Sequence, residues 1–237
     1  MKDLIGKVAY ITGGSKGIGF GVAKKLIAAG MKVAISGRTL KTVEKAAEYL
    51  GNEEQVLALS SDVTKIEDEQ AAIAKIKEKW GQVDVVLANA GVGHFMPIDQ
   101  MSSDDWHAMV DTNLNGVFHT LKASVEALKK SKGYYITLAS LAGTNFFATA
   151  AGYNATKFGV VGFTQAAMLD LRQYDIKVST IMPGSVASHF NNHEPSEADN
   201  WKIQPEDIGE LVLDLLKMHP RTLPSKIEVR PTRPDKK

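Results

Sequence analysis

The feature of this sequence that most constrains its fold is the regular alternation of short apolar segments with longer segments of helical spacing. The short segments are apolar or β-branched and bounded by turn residues, which predicts strands at Val8–Thr12, Lys32–Ser36, Gln55–Ser60, Val83–Ala88, Tyr134–Ala139, Lys177–Met182 and Lys226–Arg230. The segments between them predict helices at Gly19–Ala29, Leu40–Leu50, Lys65–Trp80, Ser103–Lys130, Gly152–Tyr174 and Pro205–Met218. Several strands are apolar on both faces, as in a parallel sheet covered on both sides. We therefore predict an α/β protein with a doubly wound, seven-stranded parallel sheet and helices on both faces.

No proline-rich or serine-rich linker divides the chain, and no repeat recurs at a fixed period, so a single domain over residues 1–237 is expected. The least periodic internal segment is polar, and we expect residues 188–201 to form a substrate loop. Residues 231–237 are predicted as a flexible tail, because proline removes backbone donors and the end is charged.

Charge and composition exclude several classes of protein. Lys and Arg total 28 against 27 Asp and Glu, so no overall field draws the chain to nucleic acid or to an anionic membrane. The absence of cysteine excludes disulfides, thiol catalysis and thiolate metal sites. No apolar run approaches the roughly 20 residues of a membrane helix, and the start does not resemble a secretion signal. We expect a cytoplasmic protein with neither nucleic-acid nor membrane partners.

A glycine-rich turn follows the first strand directly and opens a helix: Thr12-Gly13-Gly14-Ser15-Lys16-Gly17-Ile18-Gly19. Glycines allow a tight turn, and they let backbone amides approach a pyrophosphate at the helix N-terminus, where the helix dipole favours negative charge. The alternative is a purely structural turn. The strand-to-helix context at the start of an alternating chain favours dinucleotide binding.

The end of the second strand indicates which dinucleotide is bound. An NAD site usually has an acidic residue there to hold the adenine ribose hydroxyls, whereas this chain has Ser36-Gly37-Arg38. Arg38 and Lys16 are both available to meet a 2′-phosphate, unless both are solvated surface cations. The sequence therefore favours NADP(H) over NAD(H).

A second group of polar residues lies in the second half of the chain. Ser140 follows a predicted strand, and Tyr153 and Lys157 are four residues apart on one helix face. Free tyrosine has a pKa of about 10, which a nearby ammonium lowers. The pair can then donate or accept a proton while a serine hydroxyl positions a carbonyl oxygen, although such a pair is often only a helix surface.

Taken together, these motifs resemble those of the short-chain dehydrogenase/reductase family, in its short single-domain branch, over nearly the whole chain. The turn from Thr12 to Gly19 matches the family's cofactor motif, and Asp62-Val63 matches its adenine-side pair. Three further matches follow in order: Asn89-Ala90-Gly91 after the fourth strand, the tetrad Asn113, Ser140, Tyr153 and Lys157, and the nicotinamide-side segment Pro183-Gly184-Ser185-Val186. The resemblance implies a Rossmann fold and an NAD(P)-dependent oxidoreductase that acts on CH–OH groups.

The resemblance also implies roles for individual residues. Tyr153 would be the general acid in reduction and the base in oxidation, and Ser140 would polarise the carbonyl. Lys157 would hold the nicotinamide ribose and depress the tyrosine pKa, and Asn113 would anchor a water in the proton relay. The implied cofactor-binding set is Gly13, Ser15, Lys16, Gly17, Ile18, Gly19, Arg38, Asp62, Val63, Asn89, Ala90, Gly91, Tyr153, Lys157, Pro183, Gly184, Val186 and Ser188.

Departures from the family pattern bear on the substrate. Ala88 precedes the strand-four motif where many relatives have a second Asn, and Ser188 replaces a frequent Thr. The C-terminus lacks the glycine-rich segment of many relatives, so the resemblance is to 3-oxoacyl-[acyl-carrier-protein] reductases and small-ketone reductases. Expected pocket walls are His94-Phe95-Met96, Asn145-Phe146-Phe147 and the 188–201 loop, which suit a modest carbonyl substrate, although Phe146 and Phe147 could simply be core.

The leading interpretation is an NADP(H)-dependent enzyme that moves a hydride between the nicotinamide and a carbonyl or secondary alcohol. One alternative is a 3-oxoacyl-carrier-protein reductase. Its carrier is acidic, so a basic rim near the pocket is expected. The candidate lysines, Lys129, Lys130 and Lys132, are too scattered in the sequence to decide whether such a rim exists. Another is a dinucleotide-binding sensor or scaffold without turnover. The resemblance implies a homodimer or homotetramer formed through the two long helices. No metal is predicted, because His189, His193 and Glu194 lie in the polar loop without a further ligand.

Overall fold

The computed structural model describes residues 3–233, in which strands and helices alternate from end to end. The strands are β1 (Val8–Thr12), β2 (Lys32–Gly37), β3 (Val56–Ser60), β4 (Val85–Ala88), β5 (Tyr134–Leu138), β6 (Lys177–Pro183) and β7 (Lys226–Val229). The α-helices are α1 (Gly17–Ala28), α2 (Leu40–Leu50), α3 (Ile66–Trp80), α4 (Ser103–Val110), α5 (Gly116–Ser131), α6 (Ala151–Leu171) and α7 (Pro205–Lys217). Every predicted strand is present, with ends shifted by at most two residues.

The strands form one parallel sheet in the order β3-β2-β1-β4-β5-β6-β7. Ile11 of β1 pairs with Ile35 of β2 on one side and with Leu87 of β4 on the other. The chain runs outward from β1 to β3 and then returns to place β4 beside β1, so the winding direction reverses between these two strands. A crevice opens at the carboxyl ends of strands at such a reversal. The predicted doubly wound α/β fold is confirmed.

Two apolar layers cover the sheet. On one face, α1 and α7 pack against each other and against the sheet through Val22, Leu26, Ile208, Val212 and Leu216. On the other face, α3, α5 and α6 bury a second cluster that includes Ile73, Ile76, Val117, Leu121 and Val160. Because both faces of the sheet are packed, the strand ends that carry the polar side chains are held in fixed positions.

The predicted helix Ser103–Lys130 is interrupted in the structure. A π-helical turn at Asp111–Asn115 separates α4 from α5. A π turn places one extra residue in the helix and accompanies functional sites in many proteins. Here it contains Asn113, whose side chain is fully buried.

Residues 188–201 contain two short 3₁₀ turns but neither strand nor α-helix. The two ends of this 188–201 loop are held together, because Ala187 N donates to Ile203 O (2.9 Å) and Ile203 N donates to Ser185 O (3.1 Å). The loop therefore leaves β6 and returns to α7 at the same edge of the sheet. None of the helices within residues 3–233 is long and apolar enough to cross a membrane.

The C-terminal segment begins where β7 ends at Val229. Pro231, which the sequence assigned to the tail, is half-buried, and a Cβ added to Gly184 would lie 3.3 Å from its Cδ. Its ring can pack there because packing needs no backbone donor. Residues 234–237 of the predicted tail lie outside the described residues.

Candidate active site

A cavity of about 1300 Å³ lies at the carboxyl edge of the sheet, where β1 and β4 meet. Its lining contains most of the residues that the sequence singled out: Gly13, Ser15, Lys16, Gly17, Ile18, Arg38, Asp62, Val63, Asn89, Ala90, Gly91, Ser140, Tyr153, Lys157, Pro183, Gly184, Val186 and Ser188. Gly19 and Asn113 are not part of the lining. The fold thus brings together residues at or just after the ends of β1, β2, β4, β5 and β6 with residues of α6 that are far away in sequence.

The glycine-rich turn is held tightly against the end of β4. Gly13 and Gly17 have φ values of +64° and +58°, which favour glycine. A Cβ at Gly13 would lie 3.0 Å from the Cα of Ala90. Gly19 lies behind the turn, where a Cβ would come within 2.6 Å of Asn89 Nδ2. The missing side chain at Gly19 therefore lets the Asn89 amide pack closely against the start of α1.

The side chain of Asn89 shapes this turn from the β4 side. Its Nδ2 donates to the carbonyl oxygens of Thr12 (2.8 Å) and Gly13 (3.0 Å). In return, Thr12 Oγ1 accepts from the backbone N–H groups of Asn89 (3.0 Å) and Ala90 (3.1 Å). Both hydrogen bonds donated by the Asn89 amide therefore go to the protein backbone, and they hold the glycine-rich turn in place beside the cavity.

The turn presents an anion-binding surface. Helix α1 starts directly after it, no side chain caps the helix, and its first turn has no acidic residue. Lys16 and Arg38 also line the cavity, and neither forms an ion pair with a carboxylate within residues 3–233. Free backbone donors at a helix N-terminus beside two cations suit phosphate groups. The residues present therefore fit the phosphates of a dinucleotide.

Asp62 lies at the same end of the cavity but is engaged locally. Its Oδ1 accepts from both the backbone N–H (3.1 Å) and the hydroxyl (2.9 Å) of Thr64. Its own N–H donates to Asp68 Oδ2 at 2.9 Å. These bonds fix the backbone of Asp62 and Val63 where it borders the cavity.

Tyr153 and Lys157 project from α6 towards Ser140 at the end of β5. Lys157 Nζ donates to Leu138 O at 2.9 Å and lies 5.6 Å from the centroid of the Tyr153 ring. Ser140 Oγ accepts from Ala142 N at 3.1 Å, so the hydroxyl also caps the short 3₁₀ turn that follows β5. Tyr153 and Lys157 are only 9% and 5% exposed, so the surface-helix alternative does not hold.

Burial sets the protonation of this pair. Burial raises the pKa of Tyr153 to about 12, although a hydrogen bond with the Ser140 side chain lowers that pKa by a smaller amount. Burial lowers the pKa of Lys157 to about 8. The sequence predicted a depressed tyrosine pKa, so the direction is corrected here: loss of solvation raises it within the protein. Near neutral pH, Tyr153 therefore carries its proton.

Asn113 lies one layer behind the cavity wall. Its Oδ1 accepts from Val92 N at 2.8 Å, and its Nδ2 donates to Val92 O (2.8 Å) and to Thr156 Oγ1 (3.1 Å). A Cβ added to Gly91 would be 3.3 Å from Asn113 Oδ1 and 3.7 Å from Lys157 Nζ. Asn113 therefore joins the backbone after β4 to α6, close to the lysine but outside the lining.

Sequence reasoning missed two residues that position Ser140. Asn154, 8% exposed, donates through Nδ2 to the carbonyl oxygens of Ala142 (2.6 Å) and Asn145 (2.7 Å). A Cβ at Gly143 would lie 2.8 Å from Lys157 O, so glycine lets this turn approach α6. The only available signal was that these two residues neighbour Tyr153 and Ser140 in the sequence.

Other lining residues were also not assigned to the site from the sequence. Thr39 and Thr42 border the Arg38 end, and Lys202, Arg230 and Pro231 border the other side. They come from the N-terminal end of α2, from the residue that follows the 188–201 loop and from the segment after β7. No motif marks them, because their place in the cavity depends on where these elements pack.

The predicted aromatic wall is present in part. Phe147, His94 and Phe190 line the cavity, whereas Phe146 is 85% exposed and lies outside it. Within residues 3–233, no three His, Asp or Glu side chains converge as metal ligands. His193 Nε2 instead contacts Asp199 Oδ2 at 2.7 Å inside the 188–201 loop.

Comparison with known proteins identifies the family. The family model described as short chain dehydrogenase matches residues 7–199. An uncharacterized oxidoreductase of Staphylococcus aureus strain MRSA252 is 32% identical over 233 residues, which cover 98% of this chain and 100% of that protein. A second, from Staphylococcus saprophyticus, is 31% identical over 234 residues, again covering 98% of this chain and 100% of that protein.

Two solved structures share the whole fold. An alcohol dehydrogenase from the archaeon Thermococcus sibiricus, complexed with 5-hydroxy-NADP, has a TM-score of 0.90 and 31% identity, covering 97% of this chain and 99% of that one. A 3-ketoacyl-(acyl-carrier-protein) reductase from Brucella melitensis, complexed with NADH, has a TM-score of 0.88 and 27% identity, with the same coverage. With its seven-stranded sheet and the Ser140, Tyr153 and Lys157 cluster, this chain belongs to the short-chain dehydrogenase/reductase family of oxidoreductases.

Proposed function

We propose that the protein is an NADP(H)-dependent oxidoreductase that transfers a hydride between the nicotinamide and a carbonyl or secondary alcohol, with Tyr153 as general acid and base. The observation that carries this proposal is one cavity lined at one end by the glycine-rich turn and at the other by Ser140, Tyr153 and Lys157. The tyrosine and the glycine-rich turn thus face the same cavity.

In the reductive direction, the residues of this chain position and protonate the carbonyl oxygen. Ser140 donates a hydrogen bond to that oxygen, and Tyr153, which holds its proton near neutral pH, transfers it to the same oxygen. The bound nicotinamide supplies the hydride. Lys157 would hold the nicotinamide ribose and stabilise the tyrosinate that remains. Asn113 would anchor a water through which the tyrosine regains a proton.

The preference for NADP(H) over NAD(H) is proposed from charge. Lys16 and Arg38 line the turn end of the cavity without carboxylate partners among residues 3–233, and no acidic residue stands at the end of β2. Two unpaired cations favour a 2′-phosphate. The solved relatives were captured with an NADP derivative in one case and with NADH in the other, so both cofactors occur in this fold.

We further propose a homodimer or homotetramer that uses α5 and α6, without a metal. Phe118 on α5 and Phe158 and Leu169 on α6 are 47%, 42% and 52% exposed, which gives these helices apolar outer surfaces. The 188–201 loop would contact the substrate, because His189, Phe190 and Trp201 line the cavity.

A second candidate is reduction of a carrier-bound 3-oxoacyl group, which the likeness to the Brucella reductase favours. The lysines considered as a rim for an acidic carrier lie at the end of α5, before β5, at the opposite edge of the sheet from the cavity. Lys129 and Lys132 are also paired with Glu126 and Asp175, each at 2.8 Å. These three lysines therefore provide no basic rim for a carrier at the cavity. The third alternative, a sensor without turnover, would not require the assembled serine, tyrosine and lysine.

The test is oxidation of NADPH and NADH against ketones, aldehydes, diketones and an acetoacetyl thioester, with wild type, Tyr153→Phe and Arg38→Ala. We expect wild-type turnover with NADPH and a loss of about 100-fold or more in the turnover rate of Tyr153→Phe, since proton transfer contributes that much.

Arg38→Ala should weaken NADPH binding, measured by fluorescence titration, much more than NADH binding. Full activity of Tyr153→Phe would refute the acid–base role, and equal losses for both cofactors would remove Arg38 from the phosphate site. NADPH binding without turnover of any substrate would favour the sensor alternative.

A further inference from the structure

Four aromatic rings cluster at the tyrosine end of the cavity, and three of them line it. Phe95 is central: its ring centroid lies 5.2 Å from Tyr153, 6.2 Å from Phe147 and 6.3 Å from Phe190. Tyr153 and Phe190 are 5.5 Å apart. Phe147, Tyr153 and Phe190 line the cavity, while Phe95 packs behind them and is absent from the lining. These distances are typical of favourable aromatic pairs.

The position of Phe190 is set from two sides. A Cβ added to Gly93 would lie 2.5 Å from Phe190 Cζ and 2.9 Å from Phe95 Cε2, so both rings rest on this glycine. The next residues, Asn191 and Asn192, adopt positive φ values of 54° and 58°, which turn the chain sharply after Phe190. The 188–201 loop thus places the Phe190 ring beside Tyr153, although the two residues are 37 positions apart in the sequence.

Charged groups around this aromatic wall are neutralised within the chain. Lys202 Nζ contacts Asp199 Oδ1 at 2.5 Å, and Arg230 contacts Glu228 at 2.8 Å. His94 Nδ1 lies 3.0 Å from Asp105 Oδ1. The turn end differs, since Lys16 and Arg38 have no such partners within residues 3–233. Besides the Lys157 ammonium, which the proposed function assigns to the nicotinamide ribose, the tyrosine end therefore offers flat apolar surface and charged side chains that already have a counter-charge.

We propose that the substrate is an uncharged ketone or aldehyde whose carbonyl is attached to a flat aromatic ring, which packs against Phe147 and Phe190. This inference rests on the proposed function and names its substrate class. In reduction, the carbonyl C=O π bond breaks as hydride from the reduced nicotinamide forms the new C–H bond. The oxygen takes the proton of Tyr153, which gives the benzylic-type alcohol and the oxidised cofactor. Phe147 and Phe190 are specificity residues, and Phe95 is a positioning residue.

The experiment compares acetophenone with cyclohexyl methyl ketone. These two ketones have the same number of carbons and a six-membered ring, but only the first ring is flat and aromatic. The ratio of their kcat/KM values with NADPH is measured for wild type, Phe147→Leu and Phe190→Leu. Phe146→Leu is the matched control, because Phe146 adjoins Phe147 but is 85% exposed and outside the lining.

We expect acetophenone to lose about three- to tenfold more kcat/KM than cyclohexyl methyl ketone in each wall variant, because an aromatic pair contributes beyond buried area. The control should leave the ratio within about twofold, as expected for an exposed side chain. Gly93→Ala should change the ratio in the same direction as Phe190→Leu, because its Cβ would displace that ring. Circular dichroism and thermal melting verify that the variants are folded. Equal losses for both ketones in both wall variants would overturn the proposal.

A binding measurement separates this inference from the proposed function. Absence of turnover of every carbonyl compound in the panel of the proposed-function test would count against the proposed reaction, whereas turnover of other carbonyl compounds but not of acetophenone would overturn the aromatic preference alone. Calorimetric titration of NADP⁺-loaded protein with 1-phenylethanol and 1-cyclohexylethanol still decides the aromatic preference. Tighter binding of 1-phenylethanol that weakens selectively in Phe190→Leu supports it, and equal affinity for the two alcohols overturns it.

Discussion

At the scale of single residues, the serine hydroxyl of the site is held in place by a side chain that does not line the cavity. The amide of Asn154 donates to two carbonyl oxygens in the segment that follows Ser140, at 2.6 and 2.7 Å. The first of these oxygens belongs to Ala142, whose N–H binds the Ser140 hydroxyl. Asn154 therefore joins the turn after β5 to the helix that carries Tyr153, and it positions the serine relative to the tyrosine.

Asn154→Asp should lower kcat about tenfold, because a carboxylate of the same size cannot donate and repels the two carbonyl oxygens. Dinucleotide affinity should change little, since the glycine-rich turn is untouched. Steady-state kinetics with the best ketone and fluorescence titration with NADPH measure the two effects. Asn145→Ala is the control, because the Asn145 side chain is exposed and only its backbone oxygen accepts from Asn154. An unchanged kcat in Asn154→Asp would show that Ser140 does not depend on this contact.

At the scale of secondary-structure elements, the π turn between α4 and α5 joins two parts of the site. Both helices have ordinary α-helical periodicity, and the π turn at Asp111–Asn115 inserts one extra residue between them. The Asn113 side chain satisfies both backbone polar groups of Val92, which is 21 residues earlier in the chain. Neither group has another partner in the sheet, because β4 ends at Ala88. The turn therefore positions the segment after β4 against α6.

Asn113→Leu should destabilise the protein by about 2 to 4 kcal/mol, because it leaves the N–H and C=O of Val92 without their partner. Urea denaturation at neutral pH measures the free energy of unfolding. Asn115→Ala provides the control: that side chain is exposed and binds only Asp111 Oδ1, at 2.9 Å. If the two variants were equally stable, the buried amide would not be what holds the π turn.

At the scale of the whole molecule, burial of the site makes global stability depend on pH. The folded protein lowers the pKa of Lys157 from 10.5 to about 8. Between these values the unfolded chain holds a proton that the folded protein has lost, so unfolding takes up a proton. The contribution of this lysine to stability is therefore fully present above about pH 10.5, falls as the pH falls, and is lost below about pH 8.

Lys157→Met should remove this dependence. Relative to the variant, wild type should gain about 2 to 3 kcal/mol of unfolding free energy between pH 8 and pH 10.5. Urea denaturation of both proteins across this range measures the difference, in which other titrating groups cancel. Tyr153→Phe should keep the wild-type dependence between pH 8 and about pH 9.5, because tyrosine holds its proton in the folded and in the unfolded chain at those pH values. Parallel curves for wild type and Lys157→Met would mean that the buried amine does not titrate as described.

The pattern of residues along the chain was enough to predict the architecture and most of the cavity lining. Strand and helix periodicity are local properties, and parallel strands joined by helices have few allowed arrangements, so the seven-stranded doubly wound sheet was predictable. Residues just after strands, such as Gly13, Asn89 and Ser140, then had to meet at one edge of the sheet.

The chemistry within that cavity depends on how distant segments pack together in the folded protein. This packing reversed the expected direction of the Tyr153 pKa, because solvent exclusion depends on how remote segments pack around the ring. It also placed Asn113 behind the wall in a π turn and brought Phe190 from the 188–201 loop onto Gly93. These features arise from contacts between residues far apart in the chain, which no local pattern in the sequence records.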